Sequence, residues 1–504
     1  MKKIKIIKTL MVNMGLVGFT WAQISGSFQT SYQLGNLPES APQNRSNLYN
    51  QVNLQYTRQN IFIGLRAENY MVDEPFDYTK VSRKYVRYSN NNLQVTAGNF
   101  FEILGRGVLL RSYEVPGSIY EDGSTRQRYA FYKDIEGFSL QYSTDILQSK
   151  LFYGRALDNV LPPAFGSKNR RAILVQGGEI DYTEYSVFQP GILFLRSEQD
   201  GLFNEYAGFN AQGFFNCGLQ YYAEYSQNLS SEYDILDFSK ETPYGFYSSL
   251  SYSIDFVSTS LEYKDYNRYG LVFNDPPPLV REHSYSLLNR STHSIEPENE
   301  KGYQLEFLFN IGDLNTATLN HAASENDFGA GKVKFYEYYA DINYYPFNND
   351  WLTKGFIDFA HDELRNERNR KTFGMASEDR ISGLWSYSAE VQYQEFERSY
   401  IFNPQQDHAV TNILWAASFN HAPDFSIGLN LEQSNDPLDT NTLISGDKLK
   451  RKYWYGFDLT YQYDSNNTLA LFYGERRGGY ACSGGICYQV QPFKGLEFRL
   501  NTRF

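Results

Sequence analysis

The sequence predicts an all-β chain: a large, closed, antiparallel β-barrel that crosses a membrane with strands rather than helices. Three observations carry that expectation. Period-two segments recur from end to end, the aromatic content is led by tyrosine, and short and long polar connections alternate.

The alternation is clearest near the C-terminus. Leu496, Phe498, Leu500, Thr502 and Phe504 fall on one face of a strand, with Glu497, Arg499, Asn501 and Arg503 on the other. Tyr453, Tyr455, Phe457, Leu459, Tyr461 and Tyr463 alternate with Trp454, Gly456, Asp458, Thr460 and Gln462. The pattern repeats over Ile61–Glu68, Val257–Lys264 and Phe425–Glu432, and over Tyr303–Asn310 with Leu308 out of phase. Segments of roughly ten residues suit a tilted transmembrane strand, whereas sandwich strands run to about five or six. A propeller or solenoid would show a fixed repeat period, and none is present. The segments number about 20–24, with about 22 the favoured even total.

The composition agrees. Aromatic residues make up 17% of the chain, with 43 Tyr against 37 Phe. A tyrosine at a membrane surface keeps its ring in lipid and its hydroxyl wet, whereas a dry core must pair every hydroxyl. Mean hydropathy is negative. Beyond the N-terminal leader no run reaches the roughly 18 apolar residues that a membrane helix needs. A barrel escapes such a search because its inward and outward residues cancel in the average.

The connections give the third signal. Asn90-Asn91-Asn92, Asp255, Gly312-Asp313 and Asp464–Asn467 read as short periplasmic turns. Gly270–Glu300 (with Pro276-Pro277-Pro278, His283 and His293), Asp362–Arg380 and Ser434–Leu449 read as long extracellular loops.

The N-terminus reads as an export signal: Lys2, Lys3, Lys5 and Lys8, then the mostly apolar Thr9–Trp21, then a cleavage site after Ala22. Residues 1–22 are therefore expected to be a signal peptide and 23–504 the barrel, in the outer membrane of a Gram-negative bacterium. Formal net charge is −12, and loss of the four leader lysines leaves the rest more acidic still. That balance excludes nucleic acid as a partner.

Two stretches carry the candidate functional residues. Cys482 and Cys487 bracket Ser-Gly-Gly-Ile between the last two strands; in an oxidising compartment they are expected to form a disulfide that staples a hairpin. Cys217 reads as a small side chain within a strand. The stretch 98–128 breaks the alternation with glycines and with Glu102, Arg106, Arg111 and Glu114. It reads either as an ordinary loop between strands or as a segment inserted into the lumen. In the second reading Arg106 or Arg111 pairs with an inward carboxylate such as Glu68, Glu432 or Asp458. Catalytic chemistry is not expected. Neither His321, His361 and His421, placed near strand ends, nor His408 forms a triad-like set, and no zinc, phosphate or calcium motif occurs. No cofactor is expected.

The runs Gly98–Glu114 and Glu475–Cys487 resemble signatures of a family of uncharacterised outer-membrane barrels from Bacteroidota. The resemblance implies a location and a fold, and no functional residue. A terminal Phe504 after Phe498 and Leu500 likewise resembles the signal by which such barrels address their insertion machinery.

A barrel this wide has a lumen that side chains alone cannot fill, so the expected role is a channel or transport protein for an unidentified solute. The alternative is a non-transporting structural partner in an outer-membrane secretion or barrel-insertion assembly. Expected partners are outer-membrane lipid, the insertion machinery and other outer-membrane proteins. Replacing Phe498 or Phe504 by Ser should lower the amount of protein in the outer membrane, while Asn501→Ser is tolerated. Equal membrane levels of the three variants, measured by fractionation and immunoblot, would overturn this reading of the last strand.

Overall fold

The computed structural model describes residues 24–36, 44–72, 76–123, 125–157, 171–229, 241–277, 280–294, 299–329, 331–347, 350–400, 403–440, 451–483 and 486–504. The expected signal peptide, Pro278 and positions 441–449 of the third long loop lie outside them.

Among the described residues one antiparallel sheet holds 24 strands. The first, Ile24–Asn36, pairs with its neighbour Asn44–Arg58 and also with the last, Phe493–Arg503. The ladder thus returns to its start and leaves no edge, as hydrocarbon demands. The strand number stands at the top of the expected range and above the favoured figure of about 22.

The wall obeys the alternation. Ile61, Ile63 and Leu65 are each more than 40% exposed, whereas Arg66 and Glu68 are 5% and 1% exposed. Tyr453, Tyr455, Tyr461 and Tyr463 are exposed on the outer face, and Trp454 is buried within. Strands run from the 8 residues of Leu93–Phe100 to the 19 of Asn403–His421. Among the described residues no helix is long and apolar enough to cross a membrane.

The long connections gather at one end of the barrel, which also carries the tight turns 200–201 and 363–366. Turns 59–60, 90–92, 144–146, 255–256, 312–314, 383–384 and 465–466 share one end. Connections 101–134, 157–172, 229–243, 268–298, 435–451 and 477–492 share the other. One expected long loop is not there. Asp362–Arg380 is a turn at 363–366 followed by the strand Glu367–Ser382. Its charged residues looked like a solvated loop, but Arg370 points into the barrel and is buried while Phe373 and Met375 face outward. Two further placements differ from the sequence reading. Cys217 is exposed in the turn 215–218, and His321 lies in the middle of its strand, Asn315–Asp327.

Glycines form two columns across neighbouring strands. One is Gly154, Gly137 and Gly98; the other is Gly456, Gly474, Gly495 and Gly35. Gly98 has φ +103°, and a Cβ there would lie 2.2 Å from the Lys84 carbonyl oxygen. Gly495 has φ +150°, and its Cβ would lie 2.3 Å from that of Leu34. Only glycine fits such a close backbone approach, which marks tight bends in barrel walls. Each column sits just below a point where the chain leaves the ladder. Phe100 pairs directly with Ile135, and Arg476 with Phe493, so the segments between them are additions to a complete wall.

Candidate functional site: segments against the inner wall

Three connections from the long-loop end turn back onto the polar inner face. The first is 101–134. It makes two small hairpins, Ile103–Leu104 with Leu110–Arg111 and Tyr113–Glu121 with Arg128–Lys133. Leu104, Val108, Leu109 and Leu110 are fully buried in a cluster with inward-facing Phe152, Val175, Leu193 and Tyr222 and with Tyr269 and Phe273 of a second connection. Irregular backbone here needs partners, and the wall supplies them. Glu179 accepts the Gly105 N–H at 3.1 Å and Glu224 accepts the Arg106 N–H at 2.7 Å. Gly105 has φ +54°, and a Cβ would meet the Glu224 carboxylate at 2.4 Å. Asn274 donates to the carbonyls of Gly107 and Val108 and accepts the Arg111 N–H at 2.7 Å.

The four sequence candidates all lie in this stretch. Glu102 is buried and takes hydrogen bonds from Ser139 and Gln141, both at 3.0 Å. Glu114 pairs with Arg66 of the wall and with Arg83 at 3.0 Å. At these pairs the segment supplies the acid and the wall the arginines, the reverse of the pairing expected for Arg106 or Arg111. Arg106 lies over the Tyr222 ring at 4.6 Å and reaches Ser249 at 3.4 Å. Burial lowers the Arg111 pKa, with Asp275 opposing it. The carboxylates expected to receive these arginines serve elsewhere. Glu68 holds Tyr49 at 3.0 Å and the Ala130 N–H at 2.9 Å, Glu432 holds Arg290 and Arg477, and Asp458 accepts from Asn430.

The second connection, 268–294, overlaps the stretch Gly270–Glu300 that reads in the sequence as a long extracellular loop, and the structure packs it against the inner wall. It carries a five-residue helix, Ser286–Arg290, with Leu287 and Leu288 buried. Tyr285 stacks on Phe356 of the wall at 3.9 Å. His283 bonds to Glu337 at 3.2 Å, and His293 bonds to Asp362 at 2.7 Å. Arg370 of the wall, 1% exposed in its side chain, ties the group together. It donates to Glu337 at 2.8 Å, Asp358 at 3.1 Å, Glu367 at 3.3 Å and the Ser291 carbonyl at 2.7 Å. Nearby, Lys264 and Glu300 pair at 2.5 Å, both fully buried. The Leu271-Val272-Phe273 run and the Leu287-Leu288 pair were the available signals.

The third connection, 477–492, contains the hairpin Gly479–Ser483 with Ile486–Val490, closed by the Cys482–Cys487 disulfide. Arg477 joins Glu432 at 2.6 Å and Asp439. Burial alone would lower the Arg477 pKa; the two carboxylates outweigh it and raise it. Between the second and third connections and the wall lies a polar cavity of about 460 Å³, lined by Arg290, Arg365, Arg398, Asp436 and Asp439 among others. Among the described residues no group of three or more His, Cys, Asp or Glu is placed to hold a metal ion.

These features define a large closed barrel with folded segments packed on its inner face. The model of a family of unknown function, DUF6029, matches residues 1–116 and 379–504. Both Gly98–Glu114 and Glu475–Cys487 fall within those matches. No curated protein matches the chain by sequence. Among solved structures, the chain is similar to the translocation pore of the P pilus usher PapC, with 10% identity, 95% of this chain and 99% of that chain covered, and a TM-score of 0.48. It is similar to the FrpB iron transporter from Neisseria meningitidis, with 8% identity, 96% and 82% covered, and a TM-score of 0.43. For OpdQ of Pseudomonas aeruginosa the values are 11%, 74%, 97% and 0.40. The fold stands on the chain's own strand pairings.

The Arg370 group yields a measurable expectation. Arg370→Met leaves Glu337, Asp358 and Glu367 buried together without their shared cation, a change that typically costs about 3–5 kcal/mol. The detergent-solubilised variant should lose its compact gel mobility at a lower temperature, and residues 280–294 should become open to protease. Unchanged mobility and protection would show that the group contributes nothing.

Proposed function

We propose that the protein is an outer-membrane channel or transport protein for an unidentified solute, and that the segments on its inner face form a constriction. The observation that carries this reading is the polar, charge-lined interior of a 24-strand wall that closes without those segments. The exposed apolar outer face, with tyrosines along it, suits lipid. The long-connection end is assigned to the cell exterior and the short-turn end to the periplasm, in line with the usual asymmetry of such barrels. Residues 1–22 act as the leader, and Phe498, Leu500 and Phe504 serve the insertion machinery. The Bacteroidota origin rests on the sequence resemblance alone. The reading assigns no catalytic role to the histidines, which have structural partners such as Glu337 and Asp362.

Glu102, Arg106, Arg111 and Glu114 belong to the constriction. Deleting Gly105–Glu121 would remove the N–H donors now facing Glu179 and Glu224 and leave both carboxylates lining the passage. The deleted protein should insert normally, conduct more in planar bilayers and prefer cations weakly, and cells carrying it should become more antibiotic-sensitive. Normal insertion with unchanged conductance, or clear anion preference, would overturn the proposal. A stoichiometric protein partner in detergent pull-downs, together with no conductance from the deleted form, would favour the assembly role.

A further inference from the structure

We propose that the disulfide hairpin Gly479–Val490 is a thiol-sensitive latch that joins the two other infolded segments and keeps the passage shut. The inference rests on the constriction proposed above and adds what holds it closed.

The hairpin touches both segments at once. On one side Asn289, within the short helix, grips the Cys482 peptide from both directions. Its side-chain oxygen accepts the Cys482 N–H at 2.8 Å, and its amide nitrogen donates to the Cys482 carbonyl at 3.1 Å. The same nitrogen lies 2.9 Å from the His283 carbonyl, so one side chain ties the hairpin to the segment's own fold. On the other side Ile486 is buried among Tyr120, Tyr129 and Phe131 of the first segment, and Tyr488 meets the Phe131 ring edge-on at 5.0 Å. Arg126 of that segment donates to the Pro492 carbonyl at 2.9 Å.

The disulfide stands between these two attachments. Cys482, held by Asn289, pairs across the hairpin with Cys487, the neighbour of Ile486. In sequence, Ser-Gly-Gly-Ile separates the two cysteines. The bond therefore keeps the Asn289 contact and the Ile486 contact in register. Barrel closure does not depend on it, because Asn467–Arg476 and Phe493–Arg503 pair directly beneath the hairpin. Breaking the bond can uncouple the Asn289 attachment from the Ile486 attachment without opening the wall, while Asn274 continues to hold Gly107 and Val108.

Cys482 is buried and Cys487 is half-buried, so a reagent reaches the bond from the Cys487 side in this proposal. A thiolate of a small dithiol attacks the Cys487 sulfur, forms a mixed disulfide and expels the Cys482 thiolate, which takes up a proton. The second thiol of the reagent then displaces Cys487 as a thiol. The protein gains two thiols and the reagent becomes a cyclic disulfide. Oxidation of the dithiol balances reduction of the protein.

The test is single-channel conductance of the purified full chain in planar bilayers, before and after dithiothreitol, with thiol release followed by the mass added on alkylation. A severalfold rise on reduction, reversed on reoxidation, is expected. The double variant Cys482→Ser/Cys487→Ser should conduct at the raised level and ignore the reductant. Asn289→Leu should also conduct more while its disulfide stays intact. Reduced protein that conducts as the oxidised form does would overturn the latch. The Gly105–Glu121 deletion, run alongside, separates the two ideas. If it opens the pore and reduction does not, the constriction stands and the latch falls; if neither opens it, both fall.

Discussion

A backbone N–H or C=O facing hydrocarbon without a partner costs several kcal/mol, so a sheet in lipid must close on itself. Everything else here follows from closing it with 24 strands. A ring of that size has an interior far wider than its own side chains can span. Wall residues therefore face either water or folded chain, and in this protein much of that face meets folded chain. The infolded connections have the same difficulty in turn, because irregular backbone brought to membrane depth must find partners too. Glu179, Glu224 and Asn274 meet that need by holding the peptide groups of 105–111.

The charges inside obey a different balance from those of a soluble core. A buried ion pair gains little over an apolar pair, while a buried ion without a partner is strongly destabilising. Arg370, Glu337, Asp358 and Glu367 are therefore meaningful as a set. Two of the carboxylates lie on strands adjacent to one another, and the arginine on the next, so the wall arrives with its cation and anions already assembled. The segment 280–294 then adds a histidine and a carbonyl, His283 and that of Ser291, to a group the wall has organised. By contrast, the packing of Val108, Leu109 and Leu110 on Phe152 and Val175 is apolar.

Much of the wall is legible in the sequence, because lipid on one side and a polar interior on the other enforce a strict period of two. The last strand and Ile61–Glu68 read correctly for that reason. Glu367–Ser382 does not, since an inward face that meets folded chain uses the same arginines and glutamates as a solvated loop. The interior is harder. Glycines and paired charges single out 98–128, but its partners on the wall depend on register between strands far apart in sequence. Arg66 and Arg83 receive Glu114 across intervals that no local pattern encodes. Connection 268–298 was hidden by its prolines and polar residues, with Leu271, Phe273, Leu287 and Leu288 speaking for burial. The disulfide was legible from the cysteine spacing together with the expected oxidising compartment; its attachment to Asn289 was not.

The two glycine columns make the barrel a jointed ring instead of a uniform one. Along Gly154, Gly137 and Gly98 the neighbouring backbones approach where a methyl group would otherwise stand between them. The wall can crease there without losing a rung of its ladder. The second crease, from Gly456 to Gly35, includes the seam between the first and last strands. The ends of the chain thus meet along a fold line. A sheet curling toward closure is sharply turned at the place where its two edges must find each other, so the final pairing needs less bending from the strands on either side.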